Sequence, residues 1–95
     1  MMYLKELGFD DNYIQMLNEN LPERALDKLN KEKENVIANI NYLKNLPISN
    51  YQEAFAKFYN MFLLDAATFD DIFSKYDKDD LIIKLEQNIA IMEYL

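Results

Sequence analysis

Apolar residues recur every three or four positions along this chain of 95 residues, and nowhere do they alternate with polar ones. That spacing places them on one face of an α-helix, whereas a half-buried strand needs strict alternation. The length leaves room for one small domain. The sequence therefore predicts a single all-α domain over residues 1–95, either a compact bundle or a short two-unit helical array of five to seven helices.

Capping residues between the apolar stripes indicate where the helices begin and end. Gly8 can end a short first turn in the left-handed conformation, and Asp10 can cap the helix that follows. Asp65 or Thr68 is a natural cap for a later helix, and Asp77 for the last one. We therefore expect short connections and no linker within the chain.

The stretch from residue 22 to residue 46 allows two interpretations. Its apolar positions keep one face but skip a turn at Lys33. It forms either one long helix or two helices with a break near Asn30. We favour the break, because asparagine is a poor residue for a helix interior and a good cap.

The second half of the chain carries the strongest apolar stripes. A capping box of Ser49 and Gln52, or the overlapping pair Asn50 and Glu53, indicates a helix from about residue 50 to residue 62. That helix is apolar on nearly all sides, which is typical of the buried centre of a bundle. Inward stripes then follow in two later helices, made of Phe69, Ile72, Phe73 and Tyr76, and of Leu81, Ile82, Leu85, Ile89, Met92 and Leu95.

The inventory of side chains excludes most catalytic and metal chemistry. The chain has no Cys and no His, so it can form no thiol nucleophile, no Ser-His-Asp triad and no ordinary zinc site. Its single glycine cannot build a loop that cradles phosphates. We expect no enzyme, no catalytic residue, no cofactor and no metal. An enzyme that uses carboxylates alone, or a metal held by residues such as Asp70 and Asp79, stays open as an alternative.

No export or membrane segment is recognisable in the sequence. The first six residues lack the basic start and apolar run of a signal peptide. The longest uncharged stretch, residues 35–43, has nine residues, and a membrane-spanning helix needs about 20. The absence of Cys is compatible with a reducing compartment. We expect a cytoplasmic protein without a membrane partner.

The most unusual local feature is an acidic segment at residues 65–80, where six aspartates and two lysines give a net charge of −4 in a chain of net charge −7. Clustered carboxylates attract basic partners and can imitate the phosphates of nucleic acid. The same residues could instead cap helices or fill first turns, where the helix dipole favours anions. We predict a contact surface for a basic or nucleic-acid-binding protein, formed by Asp65, Asp70, Asp71, Asp77, Asp79 and Asp80.

Two pairs of segments suggest an internal duplication. Residues 4–10 (LKELGFD) resemble residues 43–49 (LKNLPIS) at an offset of 39. Residues 37–43 (IANINYL) resemble residues 89–95 (IAIMEYL) at an offset of 52. Leucine-rich helices also produce such matches by accident, so both interpretations stay open.

The run from Leu4 to Phe9, a helix leading to Pro22, and then Asn39 to Leu43 together resemble the degenerate helical repeat of the mitochondrial transcription termination factor family. The resemblance covers about residues 4–64. That repeat opens with L-x-x-L-G, places a proline at the start of a short middle helix and closes on a helix leading into the next unit. The resemblance implies a curved helical solenoid whose basic concave face holds nucleic acid.

The charges of this chain depart from that family. Residues 1–29 carry −3, residues 30–64 carry +1 and residues 65–80 carry −4. Phosphates need a basic face, for which Lys28, Lys31 and Lys33 are the candidates. We therefore predict a non-enzymatic interaction or regulatory protein, such as an inhibitor, with direct nucleic-acid binding as the alternative. The surplus of apolar residues and tyrosines leaves a homodimer open.

Overall fold

A computed structural model describes residues 3–95. Met1 and Met2, which begin both the predicted domain and the segment compared with signal peptides, lie outside the described residues. Helices account for 80% of the structure, and the described residues form no strand. The all-α prediction is confirmed.

Seven α-helices and two 3-10 helices follow one another in residues 3–95, so the number of α-helices meets the upper end of the predicted range. The α-helices are α1 (Tyr3–Glu6), α2 (Asp11–Asn20), α3 (Glu23–Lys31), α4 (Lys33–Asn45), α5 (Tyr51–Phe58), α6 (Ala66–Ser74) and α7 (Lys78–Gln87). The first 3-10 helix is Tyr59–Leu63, and the second is Ile89–Tyr94.

The stretch of residues 22–46 is divided into two helices, in agreement with the predicted break. The break falls at Glu32, whose backbone angles of φ −96° and ψ 30° interrupt the helix between α3 and α4. Asn30 lies inside α3 and does not serve as the cap. The Glu32 N–H still donates to the Lys28 carbonyl at 2.9 Å, so a single residue separates the two helices.

Three of the predicted caps are confirmed. Gly8 has φ +95°, a left-handed conformation that glycine adopts at least cost. The Asp65 carboxylate accepts a hydrogen bond from the Thr68 N–H at 2.8 Å, and the Asp77 carboxylate accepts one from the Asp80 N–H at 3.3 Å. The acidic segment therefore begins each of its two helices with a capping side chain.

The caps predicted for α2 and α5 are wrong, because neither helix has a side-chain capping hydrogen bond. Asp10 makes no side-chain capping bond, and its N–H donates to the Gln52 side-chain oxygen at 2.8 Å. The Ser49 hydroxyl donates to the Glu86 carboxylate at 2.6 Å, and the Ser49 N–H donates to the same carboxylate. Asn50 donates to a carbonyl of α7 at 2.9 Å and caps nothing.

Two predicted helices change type before they end. The helix that begins near residue 50 becomes a 3-10 helix after Phe58. The last helix stops before Asn88, which is extended (φ −155°, ψ 101°) and whose side chain accepts from the Ala90 N–H at 3.1 Å. Asparagine competes with helical hydrogen bonding in this way. Ile89 and Met92 are nevertheless buried, as the apolar stripe predicts.

A row of phenylalanine rings runs through the middle of the core. Neighbouring ring centroids lie 5.6 Å apart between Phe9 and Phe55, 5.2 Å between Phe55 and Phe62, 5.3 Å between Phe62 and Phe69, and 4.7 Å between Phe69 and Phe73. Each ring buries about 150–250 Å² of apolar surface. The row joins the N-terminal segment, α5, the first 3-10 helix and α6 in one core.

One polar side chain is buried among the described residues. Asn39 of α4 is 1% exposed and donates two hydrogen bonds, to the Phe62 carbonyl at 3.0 Å and to the Leu64 carbonyl at 2.7 Å. Carbonyls at the end of a helix lack partners within the helix. Asn39 therefore fastens the end of the first 3-10 helix to α4.

Two similar segments share two turn hydrogen bonds, although Gly8 has φ +95° and Pro47, at the matching position, has no positive φ. In the first turn (residues 4–9), the N–H groups three and five residues after Leu4 donate to its carbonyl at 3.1 and 3.0 Å. In the second turn (residues 43–48), the N–H groups three and five residues after Leu43 donate to its carbonyl at 3.2 Å each. Both turns bury the same three positions. The other match is not repeated in structure, because residues 37–43 are α-helical and Ile89–Tyr94 is a 3-10 helix.

Candidate functional site

Helix α6 divides its residues between the core and solvent. Phe69 and Phe73, four positions apart, are buried, while Asp70 and Asp71 between them are exposed. This division follows from the helical period of 3.6 residues. The packing of the two rings sets which face of α6 is exposed, and this face carries the two carboxylates.

Four of the six predicted contact residues occupy positions where an aspartate stabilises the start of a helix. Two are caps and two lie in the first turn of α7: Asp65, Asp77, Asp79 and Asp80. Asp70 and Asp71 stand in the middle of α6, where the helix dipole has no effect on stability. The expectation that these two fill a first turn is wrong. They are exposed charges to which neither capping nor the dipole gives a role.

The carboxylates of the acidic segment are largely free of cations. All six are exposed, and within residues 3–95 only Asp80 forms an ion pair, with Lys84 at 3.0 Å. Hydrogen bonds from the Thr68 backbone and side chain lower the pKa of Asp65. The segment therefore presents negative charge at neutral pH.

Asp70 has polar neighbours on one side. The Ser74 hydroxyl donates to its carboxylate at 3.3 Å. Burial of the Tyr42 phenol, followed by its hydrogen bond with Asp70, raises the pKa of Tyr42. Asp70 thus stands beside a neutral phenol and a hydroxyl that reach it from α4 and α6.

Two neighbouring hollows lie beside these residues and have Tyr76 in common, and we call the two together the Tyr76 groove. Its larger part has a volume of about 500 Å³ and its smaller part about 190 Å³. Tyr76 and Leu81 line both parts. The prediction that Tyr76 points inward is wrong, because the ring lies beyond the end of α6 and is 41% exposed.

The sequence did not identify the exposed rings of this surface. Tyr94 is 80% exposed and lines the smaller part of the Tyr76 groove. Apolar periodicity cannot separate a buried tyrosine from an exposed one, because the ring suits either place. The relevant signal was the tyrosine itself, which is enriched at the contact surfaces of proteins.

The candidate lysines for nucleic acid line two different hollows. Lys28 lines a groove with Arg24 and Tyr59, whereas Lys31 and Lys33 line a different cleft. Glu32 and Glu34 line that second cleft as well. The Lys33 amine also lies 5.9 Å from the centre of the Tyr3 ring. The structure therefore mixes these cations with acidic residues.

Residues 3–95 contain neither a metal-binding cluster nor a helix suited to span a membrane. No group of three or more acidic side chains in that range is placed to hold a metal ion together. No helix among them is both long enough and apolar enough to span a lipid bilayer. The acidic segment adjoins the Tyr76 groove, since Asp80 lines its smaller part.

Comparison of the chain with known protein families, with curated proteins and with solved structures finds no match. What the surface can bind therefore follows from its own charges, rings and hollows. It offers carboxylate acceptors for Lys and Arg next to apolar hollows lined by exposed tyrosines. These are the ingredients of protein recognition.

Proposed function

We propose that this chain is a non-enzymatic, cytoplasmic interaction protein that binds a basic protein through the acidic segment. The observation that carries the proposal is the position of Asp70 and Asp71. Both are exposed in the middle of α6, where neither capping nor the helix dipole accounts for them. A partner with Lys and Arg side chains would use both.

Electrostatics supports a basic partner. The acidic segment carries −4, and the whole chain carries −7. A field of one sign attracts a partner of the opposite sign and accelerates its association. A regulatory protein that covers the basic surface of its target fits this charge distribution.

The resemblance to the termination factor family enters this proposal as architecture only. The first and second turns share two hydrogen bonds at an offset of 39 residues, which supports a helical array built from two related units. Nucleic-acid binding finds less support, since Lys28 and the pair Lys31 and Lys33 line different clefts. Phosphates bind where cations share a face.

Affinity capture from the native host tests the proposal. The tagged full chain is compared with a triple variant, Asp70→Asn, Asp71→Asn and Asp79→Asn, with and without nuclease, and bound proteins are identified by mass spectrometry. We expect one stoichiometric basic protein that survives nuclease and is lost from the variant. Material that disappears with nuclease would overturn the proposal in favour of nucleic acid.

A matched variant controls for net charge. Glu6→Gln, Asp27→Asn and Glu34→Gln also remove three negative charges. These three residues are exposed and lie far along the chain from the acidic segment. We expect this control to retain the partner. Equal loss from both variants would mean that only net charge matters, and that the acidic segment is not the contact surface.

A further inference from the structure

Four polar side chains line the hollow between the start of α3 and the first 3-10 helix, and we call it the Arg24 hollow. They are Arg24, Lys28, Tyr59 and Asn60. Within residues 3–95, none of these four side chains forms a hydrogen bond or an ion pair. The hollow therefore offers a guanidinium, an amine, a phenol and a carboxamide to a molecule that enters it.

The charges of the Arg24 hollow differ from those of the three other hollows described above. The larger part of the Tyr76 groove has one charged residue in its lining, Lys78, and the smaller part has a lysine that is paired with Asp80. The cleft of Lys31 and Lys33 contains as many carboxylates as cations. The lining of the Arg24 hollow contains two cations and no carboxylate. An anion is the occupant that fits these charges.

The period of α3 separates these cations from the carboxylates of the same helix. Arg24 and Lys28 are four positions apart, so they share one face. Glu23 and Asp27 are also four positions apart, but each stands one residue earlier, about 100° around the helix. Glu32, one turn after Lys28, lines a different cleft. None of these carboxylates forms an ion pair with either cation within residues 3–95, so both cations remain available to a ligand.

The rest of the lining is apolar and is held by the core. Tyr59 and Leu63 are half-buried and pack against the core cluster, and Pro22 and Ala25 complete the lining. The volume of about 420 Å³ lies within the range of about 300–1,000 Å³ that is typical of sites for small molecules. An aromatic ring beside two cations suits a molecule that joins a planar group to an anionic one.

We infer that the Arg24 hollow binds a nucleoside monophosphate, a small molecule that joins a phosphate to a planar base. The guanidinium of Arg24 and the amine of Lys28 bind the phosphate oxygens. Two cations match the charge of a phosphate monoester at pH 7, about −1.5 to −2, better than the single charge of a carboxylate. The base lies against the Tyr59 ring, and its polar edge pairs with the Asn60 carboxamide, which offers both a donor and an acceptor. None of the six aspartates of the acidic segment lines this site.

Calorimetric titration of the full chain tests this inference. The probes are the monophosphates of adenosine, guanosine, cytidine and uridine. The comparison ligands are the four nucleosides without phosphate, inorganic phosphate, and a short adenine oligonucleotide. We expect at least one monophosphate to bind, and its nucleoside and inorganic phosphate each to bind about tenfold more weakly or less, because each lacks one part of the contacts.

Single substitutions locate the site. Arg24→Gln and Lys28→Gln change exposed positions and are each expected to weaken binding about tenfold, the effect of one charge-assisted hydrogen bond. Arg24→Lys keeps the charge without the planar fork and is expected to weaken binding less than Arg24→Gln. Lys31→Gln removes an exposed cation of the same helix that lines a different cleft, and it should leave binding unchanged. Circular dichroism verifies that each variant is folded.

Several results would overturn the inference. They are the absence of binding by all four monophosphates, equally tight binding of the nucleoside or of inorganic phosphate, and equal weakening by Lys31→Gln. Much tighter binding of the oligonucleotide would overturn it in favour of a nucleic-acid strand. The outcome is independent of the proposed function, because the triple aspartate variant leaves the Arg24 hollow unchanged and should bind the monophosphate as the natural chain does.

Discussion

The core around Asn39 and the acidic segment differ in the burial of their polar side chains. Asn39 is 1% exposed, and its side-chain NH₂ group donates to two backbone carbonyls. The six aspartates of the acidic segment are all exposed, and one of them has an ion-pair partner within residues 3–95. From this difference we expect that stability depends on the first region, while the exposed aspartates that cap no helix can lose their charge without loss of the fold.

The largest expected effect tests the core side of this comparison. Phe62→Ala removes a fully buried ring that contacts Phe55 and Phe69. We expect a loss of about 3–5 kcal/mol in the free energy of unfolding, from lost burial and the cavity that remains. Urea denaturation followed by circular dichroism measures it. Tyr94→Ala is the control, and an equal loss in both variants would contradict the division between core and surface.

Replacement of the buried amide probes the same region through hydrogen bonding. Asn39→Leu leaves the carbonyls of Phe62 and Leu64 without their donor, and we expect a loss of about 2 kcal/mol. Asn41→Leu changes an exposed asparagine of the same helix and serves as the control. Denaturant midpoints compare the two. Indistinguishable midpoints would show that Asn39 does not fasten the 3-10 helix.

A backbone substitution extends the test to the first turn. Gly8→Ala places a side chain at φ +95°, with its Cβ 2.9 Å from the Tyr51 hydroxyl. We expect a loss of about 1–2 kcal/mol from backbone strain, and an additional loss from the close contact. Thermal melts of Gly8→Ala alone and combined with Tyr51→Phe separate the two. If Tyr51→Phe recovers none of the loss, the contact does not contribute.

A pH titration tests whether the hydrogen-bonded carboxylate of Glu86 stabilises the fold. Hydrogen bonds from the Ser49 hydroxyl and N–H lower the pKa of Glu86 below its ordinary value of 4.5. Its stabilising effect is therefore complete above that value and is lost as the pH falls through the lower folded-state pKa. We expect the melting temperature to fall in acid, and Glu86→Gln to lessen that fall. An unchanged acid profile in Glu86→Gln would contradict this role.

The smallest effect is expected in the acidic segment. Asp70→Asn, Asp71→Asn and Asp79→Asn together change the net charge from −7 to −4. None of the three forms an ion pair within residues 3–95, and asparagine at position 70 keeps an oxygen that can accept from the Ser74 hydroxyl. We therefore expect a change in unfolding free energy within about 0.5 kcal/mol. Urea denaturation measures it beside the Glu6, Asp27 and Glu34 control. A large loss would show that these carboxylates support the fold.

The features that could be predicted from the sequence are those that depend on residues close together in the chain. The stripe of Phe69 and Phe73 and the caps Asp65 and Asp77 depend on neighbouring residues, and the structure has all four in their predicted roles. The capping box at Ser49 failed because Glu86, 37 positions away, uses that side chain. No local pattern could reveal that pairing.

The candidate site was partly visible in the sequence. The charge of the acidic segment can be counted from its residues. Its exposure could be predicted as well, because the apolar stripe of α6 leaves the aspartates on the opposite side. The Tyr76 groove was not visible, because it depends on α6 ending at Ser74 and on α4, α6, α7 and the second 3-10 helix meeting there. Hollows between elements follow from tertiary packing, which periodicity along the chain does not encode.

The two hydrogen bonds of Asn39 also restrict which misfolded packings this chain can tolerate. Leucine and phenylalanine fit many neighbours, so a small helical core can exchange one arrangement for another at little cost. If the 3-10 helix slipped by a residue along α4, the Asn39 amide would remain buried without acceptors. One amide thus selects a single register from the many that an apolar core would accept.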